Sequence, residues 1–314
     1  MPARLANLRS VTRHMQEKPL VIWQLTDKKR GHQNQSLGLV NAIKDITPSQ
    51  SYIIDITGVR LVDLIKKRFP CGEGLPLPDL IIGAGHKCQL GLLAAKRCFG
   101  GATICLMKPS LPIALFDLCI IPQHDRPKFS KNTFQTIGVL NNLIPVNAAS
   151  SLMGVFLIGG PSKHYKWNND EIISQISNIL RSNHQISWCI TDSPRTPPDL
   201  SLALKHHKQL KELYRGFHSV EDNWLQGYLP RCKEIWVSED SVSMIYEALS
   251  TDAEVGLISV PKRRDTRITK ISKDLIASRL VMSPDNLARP SKIKLNEAKR
   301  TASFIINDWM ATNV

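Results

Sequence analysis

Residues 233–260 carry the sequence KEIWVSEDSVSMIYEALSTDAEVGLISV, which indicates a strand, a helix and a second strand. Ile235, Trp236 and Val237 form a short apolar run, typical of a strand that is covered on both faces. After a polar turn, apolar side chains recur at the spacing of one buried helix face, at Val242, Ile245, Tyr246 and Leu249. A second apolar run covers residues 255–260. The pattern predicts a strand–helix–strand unit of a parallel sheet.

The turn between this strand and this helix is a candidate anion site. In a parallel sheet the C-terminal end of a strand and the N-terminus of the next helix meet at one edge. Free backbone N–H groups and the helix dipole there favour a phosphate. Ser241 and Ser243 can add hydroxyl donors, and Glu247, about a turn and a half into the helix, can reach a ribose hydroxyl. The alternative is that Asp240 and Ser241 only cap the helix and that Glu247 lies in solvent.

Strands and helices alternate along the whole chain. Apolar runs predict further strands at residues 20–25, 52–56, 79–82, 103–107, 118–121, 153–158 and 186–190. Amphipathic helices are predicted between them. From residue 141 to residue 151 the chain turns polar and small, with Pro145, and the alternation then restarts. The sequence therefore predicts an α/β protein of two halves, residues 1–148 and 149–314, with ligands bound in the cleft between them.

The composition, 42% hydrophobic and 22% charged over 314 residues, is typical of a soluble globular protein with room for two domains. No apolar run approaches the roughly 20 residues that span a bilayer. The first twenty residues are basic and lack an apolar core, which argues against a secretory signal. We expect a frayed tail there, with an organelle transit peptide as the alternative.

The charge balance favours anionic partners. The chain has 41 Lys and Arg against 27 Asp and Glu, a net charge of +14, which suits phosphorylated substrates or acidic lipid headgroups. The basic residues are not interleaved with aromatic side chains, and no nucleic-acid-binding motif is present, so we expect no nucleic-acid partner. Seven cysteines without a C-x-x-C pair predict reduced thiols in a cytosol-like compartment and no metal site.

Gly31 and His32 lie at the predicted start of the first helix. A glycine lets the backbone approach a ligand closely, and an imidazole titrates near neutral pH. His32 can therefore act as a general base that takes a proton from an acceptor hydroxyl, with Asp27 or Asp125 holding its tautomer. The alternative is a surface histidine in a tight turn.

Two further glycine turns follow predicted strands. The turn GAGH at residues 83–86 lacks the third glycine and the downstream acid of a dinucleotide-binding fingerprint. The turn GGPSK at residues 159–163 combines glycines with a hydroxyl and an ammonium group, which suits a diphosphate, although the order of a Walker A loop is absent. Arg195 can hold a phosphate with its guanidinium fork, and the alternative is an exposed loop arginine.

Six blocks of sequence resemble one family in the same order along the chain: WQLTDKKRGHQNQSLGL (23–39), PDLIIGAGHK (78–87), FDLCIIPQHD (116–125), LIGGPSKHYKW (157–167), TDSPRTP (191–197) and SEDSVSMIYEA (238–248). The family comprises the plant elongated-mitochondria fission proteins and bacterial relatives described mostly as glycosyltransferases, and earlier as nucleotide-sugar epimerases. The resemblance implies a glycosyltransferase-B-like fold, with two Rossmann-like domains facing a cleft. Residues 1–148 would form the acceptor-side domain, and residues 149–314 the nucleotide-sugar donor domain with C-terminal helices.

The resemblance also assigns roles to the candidate residues. The turn at residues 31–32 resembles the acceptor-facing turn of the lipid-II-forming GlcNAc transferase, and the turn at residues 159–160 resembles the glycine turn of its donor domain. Residues 241–247 resemble the helix that takes the donor diphosphate and, through its glutamate, the ribose. The expected catalytic residues are His32, Asp27 and Asp125; the expected donor-binding residues are Gly159, Gly160, Ser162, Lys163, Arg195, Ser241, Ser243 and Glu247; the expected acceptor-side residues are Gly31, Gly85 and His86.

The sequence departs from the family just after this helix. Where the family pattern has a glycine and a proline, this chain has Asp252 and Glu254. The exchange is expected to weaken a tight turn and to put two acids near the proposed diphosphate site.

The resemblance implies a metal-independent glycosyltransferase that uses no cofactor. It would move a sugar from a nucleoside-diphosphate sugar to a lipid-linked or lipopolysaccharide-type, anionic acceptor, at the cytoplasmic face of the membrane. Basic groups would stabilise the leaving diphosphate in place of a metal ion. The alternative from another class is a non-catalytic interaction protein that, like the plant relatives, helps to recruit a dynamin-related GTPase. A third hypothesis, sugar epimerisation, needs bound NAD, and the incomplete glycine fingerprint argues against it.

Overall fold

The computed structural model describes residues 18–127, 130–143, 151–221, 224–284 and 295–313. Within these residues the chain forms two sheets, and all their neighbouring strands are parallel. This arrangement confirms the predicted α/β class with two halves. The basic N-terminal tail and the expected boundary between residues 148 and 149 lie outside the described residues.

The first sheet has six strands in the order β2-β1-β3-β4-β5-β6. They are β1 Leu20–Thr26, β2 Ser49–Asp55, β3 Leu80–Ala84, β4 Ala102–Leu106, β5 Leu118–Pro122 and β6 Thr133–Thr136. The helices that connect them are α1 Arg30–Lys44, α2 Leu61–Ile65 and α3 Cys88–Phe99. β1 and β3 are apolar along most of their length because α1 covers one face of the sheet and α3 the other.

The second sheet has five strands in the order β11-β10-β7-β8-β9. They are β7 Met153–Leu157, β8 Ser187–Thr191, β9 Tyr214–Arg215, β10 Glu234–Ser238 and β11 Glu254–Ile258. Its helices are α4 Asn169–Ser182, α5 Pro198–His206, α6 Trp224–Tyr228, α7 Val242–Leu249 and α8 Arg267–Ala277. The unit predicted at residues 233–260 is β10-α7-β11.

The last helix returns to the first sheet. It consists of α9 Glu297–Ser303, a π-helical segment Phe304–Trp309 and α10 Met310–Asn313. Its apolar side chains Ala298, Ala302, Ile305 and Trp309 join the core that α1 forms with β1 and β3. The sequence assigns this helix to the second half, but in the structure its apolar face packs on the core of the first half.

Some elements are shorter than the sequence indicates or carry no clear signal. The sequence predicts one helix over residues 59–69, but α2 ends at Ile65. Lys67 adopts a left-handed conformation with φ 51°, and the Arg68 N–H donates to the Asp63 carbonyl over 2.9 Å, which is a Schellman-type helix end. The short β6, β9 and α6 have no strong periodicity and are not predicted by the sequence. Among the described residues no helix is long and apolar enough to cross a bilayer.

Candidate functional site

A cleft of about 330 Å³ lies between the two halves. The first half contributes residues at the start of α1, which follows the C-terminal end of β1. The second half contributes the loop after β8, residues before and within α6, and α7. Residues 141–143, which end the described part of the first half, complete the lining. The C-terminal edges of both sheets therefore meet at this cleft, as expected for the ligand site of parallel α/β sheets.

His32 is held by a buried carboxylate. Its Nδ1 lies 3.0 Å from Oδ2 and 3.1 Å from Oδ1 of Asp27, whose side chain is completely buried. Asp27 Oδ1 also accepts the Lys29 N–H, which ties the carboxylate to the turn before α1. A carboxylate at Nδ1 favours the tautomer with its proton on that nitrogen. Nε2 makes no hydrogen bond among the described residues. The His32 side chain is 18% exposed and, like Asp27, is not among the residues that line the cleft, although its neighbours Arg30 and Gly31 are.

The acceptor-side residues are only partly brought together. Gly31 lines the cleft, and Gly85 lies directly against the His32 imidazole, since a Cβ on Gly85 would overlap His32 Cε1. Gly85 has φ +83°, a conformation that favours glycine. The His86 side chain is exposed and does not line the cleft. Gly85 therefore contacts the His32 ring and limits where it can lie, whereas His86 neither makes such a contact nor lines the cleft.

Asp125 does not orient His32. Its carboxylate pairs over 3.2 Å with Arg267 of α8, so it links the two halves at a position away from the cleft lining. The neighbouring His124 stacks on Tyr246 with ring centroids 5.8 Å apart. Burial lowers the pKa of His124, and the charge of Arg267 acts in the same direction, against the opposing effect of Asp125. Of the two carboxylates that the sequence proposed as partners of His32, only Asp27 contacts it.

The N-terminus of α7 faces the cleft through Ser241, and Met244 and Glu247 line the cleft one and two turns further. Ser241 is the N-cap residue, but its hydroxyl makes no capping hydrogen bond. The first backbone N–H groups of a helix have no intrahelical acceptor, so an anion is favoured at this end. Ser243 is exposed, is not part of the lining, and donates to Glu247 Oε1 over 3.3 Å.

Glu247 lies opposite a cation from the other half. Burial raises the pKa of Glu247, and this effect is partly offset by the hydrogen bond from Ser243 and by the charge of Arg30. Arg30 is the first residue of α1 and lines the same cleft. Glu247 of the second half and Arg30 of the first half therefore line one site. A carboxylate and a guanidinium group together suit a ligand with both hydroxyl and phosphate groups.

The glycine turn at residues 159–163 lies behind the cleft. The Gly159 N–H donates to Ser238 Oγ over 2.8 Å, and the Gly160 N–H donates to Asp240 Oδ2 over 3.0 Å. These two donors are therefore occupied, and neither they nor Ser162 or Lys163 line the cleft. Ser162 Oγ accepts the His164 N–H, and Lys163 is exposed. The diphosphate contacts that the sequence predicts for this turn find no support in the geometry.

Arg195 reaches the cleft, but part of its guanidinium is already engaged. Nη2 lies 2.9 Å from Asp240 Oδ2, and Nη1 donates to the Gly160 carbonyl over 3.3 Å. The side chain is still 45% exposed and lines the cleft. Arg195 can thus offer its remaining N–H groups to an anion while Asp240 holds its position.

An aromatic wall is the part of the site that the sequence did not reveal. Phe217 and Trp224 line the cleft and are half-buried. Asp192 positions the first of them, because its Oδ1 accepts the Phe217 N–H while its Oδ2 accepts the Tyr214 and Ser201 hydroxyls. Asp192 belongs to the TDSPRTP block, but isolated aromatic residues outside a periodic element carry no signal of their own.

Asp252 and Glu254 do not approach the α7 N-terminus. Both follow the C-terminal end of α7, and Glu254 begins β11, where it is paired in register with Glu234. The eight residues of α7 separate its two ends by about 12 Å. The two acids therefore lie at the opposite edge of the sheet, and the expectation that they would lie near a diphosphate is wrong.

No group of three His, Cys, Asp or Glu side chains suited to a metal ion occurs in the part of the chain that the structure describes. All seven cysteines are free thiols, and five of them are buried. Burial raises the pKa of Cys88 to about 12, with the charge of Asp27 acting in the same direction. This thiol is therefore a packing group beside the Asp27–His32 pair.

Two parallel sheets that meet edge to edge at a cleft define the glycosyltransferase-B fold class. Two solved structures share this architecture. The S. aureus MnaA–UDP complex is 12% identical with a TM-score of 0.50, covering 94% of this chain and 98% of that chain. The glycotransferase of kitacinnamycin is 11% identical with a TM-score of 0.50, covering 92% and 98%. At such identities these similarities show the fold.

The family follows from the sequence comparison. The model of the family described as mitochondrial fission ELM1 matches residues 30–309, and the chain belongs to this family. A relative, protein RP120 of Rickettsia prowazekii (strain Madrid E), is 26% identical over 352 residues, covering 90% of this chain and 97% of that protein. The resemblance inferred from the six sequence blocks is confirmed.

Proposed function

We propose that this chain is a glycosyltransferase that binds a nucleoside-diphosphate sugar in the cleft between its halves. One observation carries the proposal: the N-terminus of α7, Glu247 and Arg195 line one cleft with Arg30 of the other half, which lies in the first turn of α1 two residues before His32. The fold shared with the UDP complex of MnaA and with the glycotransferase of kitacinnamycin supports the same class of ligand.

The donor would lie along the second half. Its base would stack in the apolar part of the cleft, between Phe217 and Trp224, and its ribose hydroxyls would bind the Glu247 carboxylate. The diphosphate would lie at the uncapped N-terminus of α7, where the Ser241 hydroxyl and the backbone N–H groups are donors. Arg195, held by Asp240, would bind a phosphate oxygen.

The acceptor would enter from the side of the first half. His32 Nε2 would take the proton of an acceptor hydroxyl as its oxygen bonds to the anomeric carbon, while the bond from that carbon to the diphosphate breaks. Asp27 would hold the imidazole and stabilise the imidazolium that forms. Arg195 and the dipole of α7 would stabilise the charge on the leaving nucleoside diphosphate. The proposal requires neither a metal ion nor a cofactor.

The acceptor class and the location are part of the same proposal. We infer a lipid-linked or lipopolysaccharide-type acceptor and peripheral contact with the inner face of a membrane from the cytoplasm. The net charge of +14 supports contact with an anionic surface.

A ligand panel tests the donor site. Thermal-shift and calorimetric measurements would compare UDP, GDP, CMP and their sugars, with NAD as the control for an epimerase. Free ligand at about a hundred times its Kd stabilises a fold by about 2.7 kcal/mol, which gives a clear rise in Tm. We expect one nucleoside diphosphate to respond selectively.

Two substitutions assign that response to the cleft. Glu247→Ala should abolish the selective shift, whereas Glu212→Ala, on an exposed side chain of the same half, should leave it unchanged. His32→Gln should keep donor binding and lose transfer to an acceptor. A folded protein that responds to no member of the panel would refute the proposal.

Family membership favours a second candidate, a non-catalytic interaction protein of mitochondrial-fission type that recruits a dynamin-related GTPase. The internal hydrogen bonds of the Gly159 and Gly160 N–H groups are compatible with a site that turns over no donor. His32→Ala separates the two candidates. Loss of biological function in a folded variant supports catalysis, and full function supports the interaction protein.

A further inference from the structure

α2 exposes apolar side chains to solvent. Leu61 is 57% exposed, Val62 44% and Ile65 66%, and none of the five residues of α2 is buried. A surface helix of a globular protein normally turns such side chains toward the core. Here the neighbouring Val59 and Leu64 pack against the core instead, so an apolar strip remains on the outside.

A basic rim surrounds this strip. Arg60 precedes α2, and Lys66, Lys67 and Arg68 follow it, all with exposed side chains. None of the four forms a side-chain ion pair among the described residues. The acid within this stretch, Asp63, is engaged by the Arg60 backbone N–H over 2.8 Å. Seven exposed side chains, three apolar and four cationic, therefore lie together on one short segment, which we call the α2 patch: Arg60, Leu61, Val62, Ile65, Lys66, Lys67 and Arg68.

The α2 patch belongs to the edge of the sheet that carries His32. The Ile56 N–H, just before α2, donates to the Thr26 carbonyl at the end of β1 over 3.1 Å. Lys28 and Asp55 pair over 2.7 Å between the same two strand ends. The segment that leads into α2 is thus bonded to the turn that holds Asp27 and His32, and the patch lies on the acceptor side of the molecule.

We propose that the α2 patch docks this protein on an anionic lipid bilayer. The apolar side chains would enter the boundary between headgroups and acyl chains, and the four cations would contact lipid phosphates. Charge complementarity favours a bilayer over a second copy of the chain, since two such patches would repel each other. This inference rests on the proposed function and deepens its membrane contact by naming the surface and the lipid class.

Vesicle co-sedimentation tests the docking. The whole chain should bind vesicles of phosphatidylcholine with phosphatidylglycerol, bind vesicles of phosphatidylcholine alone much more weakly, and lose affinity as salt increases. Lys66→Gln with Arg68→Gln should lower the affinity by about fivefold for each charge removed. Leu61→Ser with Ile65→Ser should lower it further at high salt, where the electrostatic contribution is screened.

Matched controls come from the other half of the chain. Leu202→Ser changes a leucine that is also 57% exposed, and Lys205→Gln with Lys208→Gln removes two exposed lysines of the same region. Both should bind vesicles like the wild type. Lys67→Gly removes a cation and also places glycine at a left-handed backbone position, where a side chain is unfavourable. This variant should therefore be more stable than the wild type and bind vesicles more weakly. General unfolding could not produce that combination.

Equal vesicle binding by the α2 patch variants and the controls would overturn the docking proposal. So would a shift from dimer to monomer in Leu61→Ser with Ile65→Ser at unchanged vesicle binding, because the strip would then be a contact between copies. The patch variants should retain the nucleotide response of the wild type, so a failed docking surface and a failed donor site give different results.

Discussion

The imidazole of His32 lies over the α-carbon of Gly85. A Cβ at residue 85 would overlap Cε1 and lie 2.5 Å from Nδ1 of His32, and the backbone there has φ +83°. Gly85 follows β3, and Asp27 and His32 flank the turn after β1, so two neighbouring strands fix the ring from two sides.

Gly85→Ala should displace the His32 ring and destabilise the fold. A left-handed alanine costs about 1–2 kcal/mol, and the clash adds to that cost. Gly74→Ala is the matched control, because Gly74 has φ +79° and a Cβ there would meet no atom within 4 Å. Chemical denaturation should show a larger loss at Gly85, and NMR should show a shifted imidazole resonance only there. Equal losses and an unmoved resonance would contradict the contact.

Gly38→Ala and Gly31→Ala should change stability in opposite directions. Both glycines lie in α1, where alanine is ordinarily favoured by about 1 kcal/mol. A Cβ on Gly38 would overlap the Asn141 carbonyl oxygen, so the segment at residues 141–143 would have to move, at a cost of about 1–3 kcal/mol. A Cβ on Gly31 would meet nothing within 4 Å, so this variant should gain stability. Urea denaturation measures both, and a gain at Gly38 would refute the close packing.

Asp240→Ala should be strongly destabilising. The buried carboxylate accepts from the Gly160 N–H, from Ser238 Oγ and from Arg195 Nη2. Its removal leaves buried donors without an acceptor, which costs about 3 kcal/mol. Glu212→Ala, which removes an exposed partner of Lys211, should change the free energy of unfolding by less than about 1 kcal/mol. Similar effects of the two substitutions would show that the Asp240 cluster contributes little.

Glu247→Gln should stabilise the protein at neutral pH. Burial raises the pKa of Glu247 in the folded state above its ordinary value of 4.5, so the folded chain binds more protons between the two values. Stability from this group therefore falls as the pH rises through that window. Glutamine removes this loss, and its advantage should disappear well below pH 4.5.

The same variant should lose the selective nucleotide response, since a neutral amide no longer accepts two ribose hydroxyls as a carboxylate does. Unfolding curves at several pH values, with Glu212→Gln as the exposed control, measure the first effect. A destabilised Glu247→Gln at neutral pH would contradict the role of burial.

The sequence predicted the fold class and the edge at which the site lies, because both follow from local patterns. Alternation of apolar strands and amphipathic helices specifies parallel sheets, and the polar turns mark their C-terminal ends. The sequence offered Asp27 and Asp125 as alternative partners of His32. Asp27 is separated from His32 by a single turn, so their contact could be predicted from the sequence. The contact between Asp125 and Arg267 could not, because Arg267 lies in the other half.

The remaining errors concern contacts between distant parts of the chain. The Gly160 N–H is occupied by an acceptor 80 residues away, and no local pattern reveals that. Phe217 enters the cleft because Asp192 holds its backbone. The last helix shows an apolar face, but its sequence does not indicate which of two sheets the face will cover.

The return of that helix has a consequence for the order of folding. Ala302, Ile305 and Trp309 are buried in the core of the first half, although the whole second half precedes them in the chain. During synthesis the first six strands leave the ribosome with part of their apolar surface uncovered, and that surface stays uncovered until residues 302–309 have also emerged. The core of the first half can therefore be completed only after the second half has been synthesised.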